Sequence, residues 1–189
     1  MNAVVRWVTG LVDVRKGERG PAALMALYGF LGMTAFYVMK PVRNSVFIGR
    51  VGADNLPYVY VVTAVAVAAL MVGYSRYVER VDRERLVQGT FAVFAASLLA
   101  FWWGLRGGST DLTSGAFYVW GKIFPVLLVS QFWLVGSLIF DTRQAKRLFG
   151  PIGVGLILGG ISGSLVASRV AEWLGSENLL LVSAALVGG

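Results

Sequence analysis

Three basic residues lie within long apolar segments of this chain, where a charge requires an explanation. Lys40 and Arg43 belong to the stretch MKPVRNS, which follows the apolar run ALMALYGFLGMTAFYV, and Lys122 lies in FYVWGKIFPVLLV. A charge at the middle of a membrane span costs about 3 kcal/mol on insertion scales, and such residues commonly mark a substrate or ion pathway. No acidic residue occurs in the predicted spans. We therefore predict that the three cations bind an anion from outside the protein.

The two cations of MKPVRNS share a helix face with polar neighbours. Lys40 and Arg43 are three residues apart, and Tyr37 and Asn44 are predicted to lie on the same side of the helix. Pro41 has no N–H to donate to the carbonyl of Tyr37, which predicts a kink and an unpaired acceptor at this depth. Tyr37 and Asn44 are therefore expected to belong to the same substrate site.

Lys122 is predicted to reach a similar depth on a second helix. The span that carries Lys40 runs outward and the span that carries Lys122 runs inward, with Tyr118 one turn before Lys122. Tyr118 could stack on a ring of the ligand, and ordinary core packing is an equal alternative. Snorkelling of the lysines to the interface is the other alternative, although Lys40 is about 12 Å along the axis from Ile48.

The composition favours lipid as the solvent and excludes several classes of chemistry. Hydrophobic residues make up 57% of the 189 residues and charged residues only 14%, whereas a soluble domain carries about a quarter. The chain has no cysteine and no histidine. Thiolate nucleophiles, imidazole bases and the usual zinc sites are thereby excluded. We expect no metal, no cofactor and no enzyme, and an intramembrane enzyme could use only serine and tyrosine.

Hydropathy divides the chain into apolar segments of the length that a membrane span needs. Residues 1–20 are predicted to be a cytoplasmic tail, with Val4, Val8 and Leu11 spaced for a short interfacial helix, and residues 21–189 a transmembrane bundle. The predicted spans are 22–48, 56–77, 86–105, 116–140, 148–171 and 178–189. The last is too short to cross about 30 Å of hydrocarbon, which predicts that the sixth helix is truncated and the chain is a fragment.

The distribution of Lys and Arg predicts the orientation. Most of the 17 basic residues fall in the N-terminal tail and in the links after the second and fourth spans. By the positive-inside rule, that side is cytoplasmic. The net charge of +7 is thus explained by topology, and no nucleic-acid partner is expected. The expected location is the bacterial inner membrane, with several passes and a cytoplasmic N-terminus.

Two further motifs predict helix contacts. In GPIGVGLILGGISGS, Gly155, Gly159 and Gly163 recur every four residues and form a smooth face for close helix packing. A dinucleotide-binding loop is a poor alternative, because no strand precedes these glycines. In the link YSRYVERVDRERL, Glu79, Arg80 and Arg83 resemble a degenerate form of the cytoplasmic charge clamp of major facilitator transporters.

Three segments carry a wider resemblance, which extends from about Gly17 over nearly the whole chain. They are MKPVRNSVFIGRVGADNLPYVYVVTA, FYVWGKIFPVLLVSQFW and DTRQAKRLFGPIGVGLILGGISG. The chain resembles the N-terminal half of ATP/ADP translocase-type nucleotide transporters, and more nearly their major-facilitator-like bacterial relatives. The resemblance implies an all-α integral membrane protein built from two six-helix halves. The C-terminal half would be missing from this chain.

The resemblance also implies roles for the basic residues. Lys40 and Arg43 match a basic-x-x-basic motif of the first helix in the exchangers, which continues into an acidic residue where this chain has Asn44. Lys122 stands after Phe117-Tyr118, where the exchangers usually carry a glutamate. This departure adds a cation, so an organic or phosphorylated anion is better supported than ATP-for-ADP exchange.

The sequence therefore predicts the N-terminal half of a secondary transporter that moves an anion by alternating access. The resemblance implies that ATP and ADP are among the substrates, and that the protein binds these nucleotides and exchanges one for the other. Arg43 is expected to hold phosphate or carboxylate oxygens bidentately, with Lys40 and Lys122 as point charges. The alternative is a membrane scaffold or regulatory module that keeps the fold without transport.

Overall fold

A computed structural model describes residue 15 and residues 17–78, 81–108, 110–174 and 179–188 of the chain. Within these ranges the secondary structure is entirely helical, as the composition predicts. The helices are α1 (Arg19–Val51), α2 (Leu56–Val78), α3 (Arg83–Arg106), α4 (Asp111–Ile139), α5 (Thr142–Leu174) and α6 (Leu179–Gly188). A short 3-10 turn at Ala53–Asn55 connects α1 to α2.

Five of these helices, α1 to α5, are long and apolar enough to cross a membrane. The prediction of a multi-pass helical membrane protein is confirmed at this level. The 33 residues of α1 extend over about 50 Å at 1.5 Å per residue, so this helix projects beyond the hydrocarbon core. The helix continues through Pro41 without interruption.

Helices α4 and α5 begin five and six residues earlier than hydropathy predicts, because polar residues cap their first turns. α4 begins at Asp111 instead of residue 116, where Thr110 Oγ1 accepts from the Thr113 N–H at 3.2 Å and Thr113 Oγ1 accepts from the Thr110 N–H at 2.8 Å. α5 begins at Thr142 instead of residue 148, where Asp141 Oδ1 accepts from two backbone N–H groups at 2.8 and 2.9 Å. Capping satisfies amides that would otherwise lack a partner.

Helix α1 occupies the centre of the bundle. It packs most extensively against α5 and also contacts α4 and α6, whereas α2 packs mainly on α4 and α3 mainly on α6. Its core side chains Val38, Met39 and Val42 are almost completely buried together with Phe117 of α4. Residues on α4 and α5 are therefore positioned relative to each other through α1.

The glycines of α5 lie directly against the backbone of α1. A β-carbon at Gly163 would lie 2.6 Å from the carbonyl oxygen of Thr34, and one at Gly159 would overlap the carbonyl oxygen of Phe30. Gly155 meets the α1 backbone in the same way. Thr34 Oγ1 also donates to the carbonyl oxygen of Gly159 at 3.1 Å. Two helices can approach this closely only where the residues between them lack side chains.

An ion pair connects the beginnings of the same two helices. Arg147 of α5 donates from Nη2 to Glu18 Oε1 at 2.6 Å, and Gln144 Nε2 donates to the same oxygen at 3.2 Å. Both charged side chains are mostly buried.

Two predicted features fall largely outside the described residues. They are Glu79 and Arg80 of the predicted charge clamp, and Val4, Val8 and Leu11 of the predicted interfacial helix. Arg83 is the first residue of α3.

Candidate functional site

Arg43 of α1 and Lys122 of α4 lie near each other where these two helices meet, and Lys40 is one turn before Arg43 on α1. Tyr118 lies between two of the cations, since its ring centroid is 5.0 Å from the Arg43 guanidinium carbon and 5.6 Å from Lys122 Nζ. The opposite directions of α1 and α4 thus bring residues that are far apart in sequence to one place.

Arg43 is only 2% exposed and donates its hydrogen bonds within the protein. Its Nη1 donates to the carbonyl oxygen of Gly121 at 3.1 Å, and its Nε and Nη2 donate to Asn44 Oδ1 at 3.3 and 3.1 Å. Gly121 leaves the space that this side chain occupies, because a β-carbon there would lie 2.7 Å from Arg43 Cδ. In this conformation Arg43 connects α1 to α4, whereas the sequence predicts a direct ligand.

Lys40 is exposed and lines a groove between α1 and α5. Its Nζ lies 5.3 Å from the centroid of the Tyr37 ring, so a cation–π contact replaces part of its hydration. This α1–α5 groove has a volume of about 420 Å³. Its lining residues are Tyr37, Lys40, Pro41, Asn44, Ser164, Ala167 and Ser168. The groove therefore contains three residues predicted for the site together with two serines that the sequence did not mark.

Lys122 is partly buried and lies near two tyrosine rings. Its Nζ is 5.2 Å from the ring centroid of Tyr60 on α2 and 5.6 Å from that of Tyr118 on α4. Each cation–π contact contributes about 0.5–2 kcal/mol, depending on how far the cation is removed from water. No sequence pattern marks Tyr60, because it is one aromatic residue in an apolar span of a chain that is 13% aromatic.

The three cations have no carboxylate partner among the described residues. The ion pairs found there are Arg50–Asp111, Asp82–Arg85 and Glu18–Arg147, and none of them includes a residue of the site. The described ranges also contain no group of three or more acidic, His or Cys side chains that could hold a metal ion. Among the described residues, the groups that face this positive charge are therefore dipoles and aromatic rings.

Comparisons of the chain with protein-family models, with curated proteins and with solved structures give no match. The function is consequently argued from the geometry and charge of the site. The likeness to nucleotide transporters stays a prediction from the sequence.

Proposed function

We propose that the chain is part of a secondary transporter that binds an organic or phosphorylated anion and moves it across the membrane by alternating access. The observation that supports this most is the grouping of Lys40, Arg43 and Lys122 without an acidic partner in the part of the chain that the structure describes. Like charges repel more strongly in a medium of low dielectric constant than in water. An anion that enters relieves this repulsion.

The contacts of the three cations suggest different roles for them. Lys40 is exposed in the α1–α5 groove, and Lys122 is partly exposed near Tyr60 and Tyr118. These two ammonium groups are the direct ligands in our proposal. Arg43, which is buried, contributes its charge and holds the Asn44 side chain in place. A nucleotide is one candidate substrate, through the likeness to ATP/ADP exchangers that the sequence predicts.

One observation favours the alternative, a scaffold or regulatory module without transport activity. The three hydrogen bonds that Arg43 donates go to Gly121 and Asn44, which is how a structural arginine behaves. On this alternative, the lysines are also anchors and no anion binds. The two proposals therefore differ in whether removal of a lysine changes the affinity for an anion.

The test measures the binding of inorganic phosphate, ATP and ADP to the full-length protein in lipid nanodiscs. Lys40→Ala and Lys122→Ala are expected to lower the affinity for the bound anion at least tenfold, while Lys146→Ala, an exposed lysine on α5, leaves it unchanged. Membrane insertion should stay intact, because removal of a charge from a span lowers the cost of insertion. Equal binding to wild type and to the Lys40 and Lys122 variants would favour the scaffold.

We also propose that the N-terminus is cytoplasmic and that the membrane is the bacterial inner membrane. Asp54 lies in the turn between α1 and α2, and Lys146 lies in the first turns of α5, on the opposite side. Both side chains are exposed. A membrane-impermeant thiol reagent should label Asp54→Cys in intact cells and should label Lys146→Cys only after lysis. The reverse pattern would overturn the orientation.

A further inference from the structure

We propose that the α1–α5 groove selects anions that also carry hydroxyl groups, and that Ser164 and Ser168 accept hydrogen bonds from those hydroxyls. The substrate class is then a small hydroxylated phosphate or carboxylate. This inference rests on the proposed function, because Lys40 in the same groove would bind the charged end of the ligand.

The two serines present acceptors to the groove. They are four residues apart on one face of α5, both are exposed, and both line the groove. Ser164 Oγ donates to the carbonyl oxygen of Gly160 at 2.9 Å, and Ser168 Oγ donates to that of Leu165 at 2.9 Å. A hydroxyl has a single proton, so these oxygens retain only lone pairs for a ligand. The two oxygens are therefore suited to a ligand that donates hydrogen bonds.

The α1 wall of the groove presents donors instead. The ammonium group of Lys40 has three donors and no acceptor. Asn44 Oδ1 already accepts from Arg43, so the remaining hydrogen-bonding group of this side chain is its NH₂. Donors on α1 and acceptors on α5 face the same space. A molecule with an anionic end and hydroxyl groups can satisfy both walls, whereas an anion without hydroxyls satisfies only one.

The width of the groove is fixed by the contact between the two helices. Tyr37 packs against α5, since a β-carbon at Gly160 would lie 3.3 Å from Tyr37 Cε2 and one at Gly163 would lie 2.9 Å from Tyr37 Cβ. The groove therefore opens directly beside a backbone contact that leaves little freedom. Its volume of about 420 Å³ is in the range of small-molecule sites, which is about 300–1,000 Å³.

The experiment compares glycerol 3-phosphate with ethyl phosphate, which carries the same phosphate monoester without free hydroxyls. The full-length protein in nanodiscs should bind glycerol 3-phosphate about two- to tenfold more tightly, the range expected for one net hydrogen bond. Ser164→Ala and Ser168→Ala should bring this ratio toward one and leave the affinity for ethyl phosphate unchanged. Ser137→Ala, which removes an exposed serine bonded to the carbonyl of Leu134 on α4, is the matched control.

The outcomes separate this inference from the function on which it rests. Equal affinity of the wild type for the two phosphates, or a ratio that both serine variants retain, would overturn the inference and leave the anion site intact. Failure of the wild type to bind either phosphate would overturn the inference, and failure to bind inorganic phosphate, ATP and ADP as well would overturn the proposed function. Because ethyl phosphate binding reports on the fold of each variant, a misfolded protein is recognised by the loss of that binding as well.

Discussion

Helix α1 contacts its neighbours in two different ways. On the α5 side, Gly155, Gly159 and Gly163 bring the two backbones together, and a single added carbon would collide with a carbonyl group. On the α4 side, the contact around Arg43 consists of a long side chain that reaches a carbonyl oxygen and an aromatic ring. The first contact depends on the absence of side chains and the second on their length.

This difference indicates where the molecule can tolerate change. Backbone atoms cannot move aside without bending a helix, whereas an arginine side chain can adopt another rotamer. We therefore expect the α1–α5 contact to behave as a fixed reference and the α1–α4 contact to adapt. Substitutions on the two sides test this comparison directly.

The largest effect is expected on the glycine side. Gly159→Leu should lower the free energy of unfolding by about 3 kcal/mol or more, because the new side chain must displace the α1 backbone at Phe30. Thermal unfolding and yield in detergent measure the effect. Gly153→Leu is the control on the same helix, since nothing lies within 4 Å of a β-carbon there. Equal melting temperatures for the two variants would show that the α1–α5 contact tolerates a side chain at Gly159.

A smaller effect is expected on the arginine side. Arg43→Lys should lower the free energy of unfolding by about 1–2 kcal/mol, because one ammonium group cannot reproduce the forked contacts to Gly121 and Asn44, and a buried acceptor loses its donor. The melting temperature is the measurement. Arg50→Lys, at an exposed ion pair with Asp111, is the control and should change little. A loss as large as that of Gly159→Leu would show that this side is equally intolerant.

The smallest effect is expected at the ion pair that connects the beginnings of α1 and α5. Glu18→Gln removes the charge and keeps an acceptor for Arg147, so the cost should be about 1 kcal/mol and should change little with salt, because both side chains are mostly buried. Unfolding in low and high salt measures it. A cost of several kcal/mol would mean that the ion pair, and not the glycine contact, fixes α5 against α1.

The helical spans and the packing face of Gly155, Gly159 and Gly163 were predicted from the sequence, whereas the beginnings of two helices were not. The helical spans follow from hydropathy, because about twenty apolar residues have few other solutions. The beginnings of α4 and α5 were displaced by several residues, although Thr110-x-x-Thr113 and Asp141-x-x-Gln144 resemble capping boxes. Hydropathy averages over a window and ignores such polar caps.

Within the site, the sequence identified the lysines but not the residues that the fold places beside them. Lys40 and Lys122 stand out in the sequence because a cation in an apolar span is rare. Tyr60, Ser164 and Ser168 do not, since a tyrosine or a serine in a span is ordinary and only the packing of α2 and α5 brings these residues near the lysines. The hydrogen bond from Arg43 to Gly121 was not predicted, because it depends on a glycine in another helix.

The two lysines of the site lie on different helices, and this has a mechanical consequence. Lys40 moves with α1 and Lys122 moves with α4, so the anion that we propose to bind between them would draw the two helices together. The free energy that is available to move α1 relative to α4 equals a difference between two binding free energies of the ligand. One is for the arrangement with the two helices close together, and the other is for the arrangement with them farther apart. On the proposed function, two lysines on different helices would thus convert the binding of a small ion into displacement of a helix.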